Sequence, residues 1–515
     1  MKKSARQSMA WLHSWLGLLI GWFLFCIFLS GTLTYYRHEL NLWSQPQLLN
    51  IQIHQNTAVE SALQYLEKNA PDAQKWMIQI ANHNNPMNKL YWQTQDGQFN
   101  TKILNPNTSQ EIKMNDIPAG EFFYLFHFQL YGMPILTARF IVCCAAFIML
   151  VTLISGIITH KKIFTDFFTL RAFKGQRSYL DFHNVSAVIA LPFFLTITFT
   201  GLAILFYIFL PLSIQKAYPN NIFQFFEEIR TVPTLAVQNA QSSKMLTPAQ
   251  MQALVTQELG DIELSHIIIQ SPHTSNAIAT FNALEDRSIT QRVPQVTFHA
   301  TTGQILQSTR NESMIATLSS GVYGIHMMTF APTLLRVCLF FSGLLGCTMI
   351  ASGLLLWSLK RQLQTQMNTP FHFGFYLVDR LNMSALLGLS TAVICYLFSF
   401  RFNQMFHLEI SETLVFFSSW LAIFVLSLVI SKYALWKLFL KLFILLSIML
   451  LIIDLLYFAA IFQATASFKV WNIVRVDVLI LIFIALATFL HRHLAPIQHR
   501  AKEKLRTKLK TTSSY

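Results

Sequence analysis

Residues 11–33 read WLHSWLGLLIGWFLFCIFLSGTL, and residues 181–205 read DFHNVSAVIALPFFLTITFTGLAIL. Each contains an apolar run long enough for the roughly 20 residues that a bilayer requires. Each places a histidine at its start, His13 or His183, and a glycine eighteen positions later, Gly31 or Gly201, behind Ser30 or Thr200. An ionisable ring at the mouth of a membrane span is expensive unless something pairs with it. The two stretches therefore raise the fold and the chemistry together.

Working outward, the chain has 515 residues, of which 53% are hydrophobic and 12% charged. That balance, spread over long apolar runs, describes a polytopic membrane protein. The first run exceeds a signal peptide and ends in SGTLTYYRHEL without a small-residue cleavage site, so it reads as a retained span. Eight apolar segments lie near 11–36, 134–159, 183–213, 333–358, 375–400, 413–432, 435–463 and 471–491. All six cysteines (Cys26, Cys143, Cys144, Cys338, Cys347, Cys395) fall inside these runs, with no CxxC or CxxCH, which excludes a disulfide framework and c-type haem attachment.

The net charge of +14 could suggest nucleic acid, but its placement argues otherwise. Lys2, Lys3 and Arg6 precede the first span. Lys161, Lys162, Arg171, Lys174 and Arg177 fill the loop after the second, Lys360 and Arg361 follow the fourth, and a basic tail closes the chain. With eight spans these all fall on one side, which the positive-inside rule makes the cytoplasm. The excess is thus a topology signal and an attraction to the lipid bilayer, and no nucleic-acid partner is expected.

The fold expected is an all-α polytopic bundle of about eight transmembrane helices carrying two small α+β modules. A first span lies within 1–36, a first outer module within 37–133, a second span within 134–160 and a basic cytoplasmic loop within 161–182. The third span lies within 183–213, a second outer module within 214–332, the fourth span within 333–358, four more spans within 375–491 and a basic tail within 492–515. In the modules TAVESALQYLEKNA and TPAQMQALVTQEL read as helices, the second started by Thr247 and Pro248. NKLYWQTQ, LSHIIIQ and AIATFNA read as strands, and LNPNTSQEI and FHATTGQIL look like one hairpin made twice.

The unit of span, module and span therefore occurs twice. The second spans of the two copies carry Arg139 and Gly156, and Arg336 and Gly353, each pair seventeen positions apart. His127 and His326 precede them. Two copies facing the same way imply a pseudo-twofold axis along the membrane normal. His13 and His183 then share a cytoplasmic depth, and His127 and His326 an outer depth. Paired imidazoles across an axis suit the axial ligation of a b-type haem, so two haems b are expected, with these four histidines as iron ligands. His160, at the depth of His13 and His183, is an alternative ligand or a propionate partner. Arg139 and Arg336 either pair with propionates or snorkel to the interface.

The segments WLHSWLGLLIGW, GIITHKKIFTDFFTLRAFKGQRSYLDFHNVSAVIALPF, FSGLLGCTMIASGLLLWSLKR and FYLVDRLNMSALLGL resemble the PepSY-associated transmembrane proteins of Gram-negative bacteria, often termed iron-uptake or iron-regulated membrane proteins. The resemblance runs from residue 11 to about residue 390. It implies PepSY-type outer modules, a bacterial inner-membrane location and a role in iron acquisition, some relatives being regarded as haem-containing ferric-siderophore reductases; the basic residues at both ends place the N- and C-termini in the cytoplasm. Many relatives are expected to carry a histidine where this chain has Phe194.

The leading expectation is an oxidoreductase that passes electrons to a ferric siderophore or other ferric chelate outside, near His127, His326 and the modules. Reduction loosens the chelate because hard oxygen donors suit Fe(III) better than Fe(II). No GxGxxG follows a strand in any cytoplasmic loop, so the donor would be a quinol or another protein. The competing readings are an iron or siderophore permease without redox chemistry, using Asp454, Arg475 and Asp477, and a membrane anchor whose modules bind an envelope protein.

Overall fold

The structure is a computed structural model that describes residues 4–113, 117–160, 176–219, 225, 241–284, 288–290, 293–308, 314–365, 372–430, 432–462 and 470–512. Lys2, Lys3, Lys161, Lys162, Arg171 and Lys174, which carry much of the orientation argument, lie outside the described residues. Two compact units emerge: Met1–Ser44, Asn115–Phe209 and Thr333–Tyr515 form one, and Gln45–Met114 and Leu210–Pro332 the other.

In chain order the helices are α1 (Ala5–Leu33), α2 (Arg37–Ser44), α3 (Gln55–Asn69), α4 (Ala119–Gln129), α5 (Ile135–Thr159), α6 (Gln176–Ile189) and α7 (Leu191–Ile204). They continue as α8 (Pro248–Leu259), α9 (Met314–Met327), α10 (Thr333–Thr365), α11 (Phe373–Met383) and α12 (Leu389–Phe406). The last three are α13 (Glu412–Val429), α14 (Lys432–Phe462) and α15 (Val470–Thr512). One π-helical turn, Ser384–Gly388, joins α11 to α12.

The first unit is the membrane bundle. Among the described residues, seven of its helical segments are long and apolar enough to cross a bilayer, and an eighth span is made if the bent pair Tyr179–Ile189 and Leu191–Ile204 counts as one. That third span, expected as one continuous helix, turns by 68° at Ala190. The cause is local: Pro192 has no N–H to give to the preceding turn, and its ring cannot sit inside a continuous helix. The proline instead occupies the first turn of α7, where a missing donor costs nothing. α1 starts on a reciprocal cap in which Ser4 Oγ accepts from Gln7 N–H and the Gln7 side chain accepts from Ser4 N–H. α1 packs against α5 and α10, α6 against α10, and α7 against α5, so the four spans of the repeat close a ring. All six cysteines are free, as their apolar surroundings suggested.

Among its described residues the second unit holds one antiparallel sheet of seven strands: β1 (Lys75–Gln79), β2 (Asn88–Gln93), β3 (Phe99–Leu104), β4 (Leu264–Gln270), β5 (Ile278–Ala283), β6 (Gln295–His299) and β7 (Ile305–Gln307). Their order is β3-β2-β1-β4-β5-β6-β7. The two modules expected as separate bodies are thus fused edge to edge, β1 against β4, with Trp76 opposite Ile269 and Ile78 opposite Ile267. Pairing of the equivalent strand of each copy satisfies two edges that would otherwise be open to solvent. α3 and α8 supply the apolar cover, and their Val59, Leu63, Leu66, Met251 and Val255 share a core with Trp76, Ile267, Phe281 and Phe298. α8 begins at Thr247 and Pro248, as the sequence foretold, and Gln250 completes a capping box with Thr247.

The repeated hairpin is also present. Asn105 N–H donates to Gln110 O and His299 N–H to Gln304 O, both at 2.9 Å. Ser109 and Gly303 occupy the same position in the two turns, at φ of 56° and 76°. The membrane helices claim more chain than expected: residues 37–44 and 119–129, read as parts of the first module, belong to the bundle as α2 and α4.

Ile267 lies on the strand that joins the two copies and is fully buried. Ile267→Ala is expected to cost about 2–5 kcal/mol. Limited proteolysis should show faster cleavage within both halves of the sheet.

Candidate functional site

Four of the histidines named from sequence sit in the bundle, and three of them are held in one way. His13, on α1, has Nδ1 2.8 Å from the carbonyl of Thr152 on α5. His183, on α6, has Nδ1 2.8 Å from the carbonyl of Met349 on α10. His127, on α4, has Nδ1 2.8 Å from the carbonyl of Ile27 on α1. In every case a glycine follows the acceptor by four residues, one helical turn on: Gly156, Gly353 and Gly31. A Cβ built on Gly156 or Gly353 would lie 3.0 Å from Cε1 of the histidine ring, and one on Gly31 would lie 2.6 Å away. The glycines are there because the imidazole lies flat on the backbone. Ile197 and Gly201 form the fourth such pair in sequence.

These contacts set the chemistry of the rings. A carbonyl only accepts, so Nδ1 carries the proton and the neutral ring keeps its lone pair on Nε2. For His13 and His183 no hydrogen bond reaches Nε2 among the described residues. Their rings stand with centroids 6.1 Å apart and planes at 73°. Two imidazoles bound through nitrogen to one metal at about 2.0–2.1 Å have ring centres about 6 Å apart. A second bond from the far ring nitrogen to a backbone carbonyl is the usual support for a metal-bound histidine. The donor set, the spacing and the glycine cradles fit a haem iron between His13 and His183. Among the described residues no group of three or more His, Cys, Asp or Glu could hold a bare metal ion, which is a different kind of site.

The other named residues are placed as follows. His160 caps the end of α5, and its Nε2 lies 2.9 Å from Asn184 Nδ2, so its lone pair accepts from that amide, next door to His183. His326 is on α9, in the second unit, so its pairing with His127 rests on the repeat alone. Arg139 donates to Tyr207 OH and Gln129 Oε1, both at 3.1 Å, and lies over the Phe128 ring. Arg336, its counterpart in the repeat, does something else: it donates to the buried carboxylate of Glu39 at 2.6 Å, which Arg475 also reaches at 3.2 Å. The two arginines are equivalent in sequence and different in partner: among the described residues Arg336 meets the Glu39 carboxylate and Arg139 meets Tyr207 and Gln129. Phe194 is fully buried against Phe28, with Gly346 beneath both rings. Phe122, Phe123 and Phe126 are buried against Tyr396 and Phe416.

Sequence reading did not find the acceptors Thr152, Met349 and Ile27, since a carbonyl has no residue signature. Their signal is the glycine one turn later. It also passed over Glu39 and Arg401, the latter a lone arginine in the apolar run LFSFRFNQ.

The model of the PepSY-associated TM region family matches residues 10–360. No curated protein matches the chain. The match includes His13, His127, His160, His183, His326 and every glycine of the cradles, and stops before α11.

Histidine labelled with 15N should give, for His13, His127 and His183, the neutral Nδ1–H tautomer. Gly31→Ala brings the closest approach and should displace its imidazole most, at a cost of about 1–3 kcal/mol. Gly156→Ala and Gly353→Ala should perturb only His13 and only His183.

Proposed function

Since the chain belongs to the PepSY-associated TM region family, we propose that it is an inner-membrane b-type haem protein that passes electrons to ferric iron held by a siderophore or similar chelate outside. The observation that carries this reading is the His13–His183 pair: one imidazole from each copy of the repeat, centroids 6.1 Å apart, both with Nδ1 tied to a backbone carbonyl. Iron held between two imidazoles in a haem changes its charge by one electron without changing its ligands.

The chain's own groups supply the rest. His13 and His183 would hold the haem iron through Nε2. The Thr152 and Met349 carbonyls fix the tautomer and the ring direction. Ser155 and Ser352 donate to those same two carbonyls, at 3.0 and 2.9 Å. Gly156 and Gly353 keep side chains out of the space beside the rings. His127 repeats the arrangement at Gly31, and by the repeat His326 would face it, giving a second centre at the other depth. His160, engaged by Asn184, is a polar neighbour of the first centre rather than a ligand in this reading. Arg139 remains a candidate propionate partner, whereas Arg336 is already committed to Glu39. Electrons would come from a quinol or another protein, since no nucleotide-binding fingerprint is present. Both termini would face the cytoplasm.

A second reading, a permease without redox chemistry, is supported by one observation: the intramembrane charges Arg401 and Asp454 form a fully buried ion pair.

Purified protein from haem-replete cells should be red and give about two haems b per chain by pyridine haemochrome, one for each histidine pair. His13→Ala and His183→Ala should each lose the same haem and keep the other, while His160→Ala keeps both. Dithionite-reduced protein mixed with a ferric siderophore should reoxidise, with Fe(II) trapped by a chelator. A colourless, folded preparation that still supports iron uptake would favour the permease.

A further inference from the structure

Past the Gly353 cradle, α10 continues through Trp357 and Arg361. Met349, Gly353, Trp357 and Arg361 stand four residues apart, so they follow one stripe of the helix, each about 6 Å further along than the last. The first two hold His183. Trp357 packs edge to face on Trp15 of α1, two residues after His13, with ring centres 5.6 Å apart. It also meets Phe375 of α11, with ring centres 6.2 Å apart. The Arg361 guanidinium lies 5.5 Å from the Trp15 ring centre and 5.7 Å from that of Trp357. A cation and an indole thus stand together one to two turns from the cradle.

The Trp357 indole N–H is buried, and among the described residues no acceptor reaches it. A buried tryptophan normally finds a partner for that group, and leaving it bare is costly. An indole N–H can only donate, so the partner it lacks is an acceptor. The guanidinium beside it favours an acceptor that carries negative charge and is flat, such as a carboxylate.

The repeat supplies a second observation. The counterpart of Trp357 is His160, four residues after Gly156 as Trp357 is four after Gly353. His160 Nε2 lies 2.9 Å from the side-chain amide of Asn184, the residue after His183. Its proton is therefore on Nδ1, and it too is an N–H donor. Each copy ends its second span in a donor ring set against the first span of the other copy, next to the histidine there. Haem b carries two carboxylates, its propionates, and the two copies offer one donor ring for each.

Resting on the haem reading above, we propose that Trp357 and Arg361 bind one propionate of the haem held by His13 and His183. The indole N–H donates to the carboxylate, and Arg361 offsets its charge. Trp15 and Phe375 hold the indole in place. No bond is made or broken and no electron moves.

Resonance Raman spectroscopy and redox titration of the purified full chain test this, the haem in question being the one that His13→Ala removes. Trp357→Phe keeps a ring on Trp15 and loses the donor. It should keep the wild-type haem content, move one propionate bending band to lower frequency and lower the midpoint potential of that haem, since a carboxylate without its partner favours Fe(III). Arg361→Gln should lower the potential of the same haem, and at a partly exposed position it decides the matter if Trp357→Phe fails to fold. Phe375→Leu loosens the packing on Trp357 and keeps the N–H, so it should leave band and potential in place. A red Trp357→Phe protein with band and potential unchanged would overturn the proposal and leave the haem reading standing. So would a band that moves as far in Phe375→Leu. A colourless wild type would overturn the haem reading and this proposal with it.

Discussion

A histidine inside a bilayer has two ring nitrogens to satisfy and almost no water with which to do it. In this protein the answer is the same three times over. Nδ1–H donates to a helix carbonyl, and the glycine one turn further on lets the ring lie against the backbone. Helix carbonyls are normally spent on their own ladder, and they can take a second donor because oxygen has two lone pairs. The ring can reach that carbonyl only where no Cβ stands in the way. Much else in the bundle follows from this geometry: which spans must touch, how closely, and where small residues recur. α1 has to lie on α5, and α6 on α10, for His13 and His183 to find their acceptors.

Duplication gives that arrangement its use. One copy of the unit presents one imidazole, and a second copy presents another, so two rings meet with their planes at 73°. In the other unit duplication has a different effect. The equivalent strands β1 and β4 pair with each other, and two small half-sheets, neither large enough to cover its own core, become one sheet of seven strands. The family match ends at residue 360, before α11. Beyond it, α12 and α14 bury Arg401 and Asp454, whose partners are each other, Trp43 and Gln404.

What could be read in the sequence was whatever has a period or a spacing. The eight spans, the repeat, the equal offsets of His13–Gly31 and His183–Gly201, and the twin hairpins all belong to this class. What could not be read depends on partners remote in sequence. Strand β1, with its five residues KWMIQ, has little pattern of its own and is specified by β2 and β4 on either side. The different fates of Arg139 and Arg336 depend on Glu39, which lies 297 positions from Arg336 in the chain. The bend at Ala190 is a different case, since Pro192 was visible and its effect follows from its missing N–H. Arg401 was visible too, but an isolated cation in an apolar run gives no hint that Asp454, 53 residues on, will meet it.

The central claim is that His13 and His183 bind one iron between them, and the orientation of the rings gives it a spectroscopic signature. Imidazoles set nearly at right angles interact with different iron d orbitals and keep these close in energy, which gives low-spin Fe(III) a strongly anisotropic electron paramagnetic resonance signal. Parallel rings split the orbitals and give an ordinary rhombic signal. Electron paramagnetic resonance of the oxidised protein at low temperature should therefore show a highly anisotropic low-spin ferric haem that is lost in both His13→Ala and His183→Ala. A highly anisotropic signal that keeps its full wild-type intensity in both variants, or loses intensity in only one of them, would contradict the assignment.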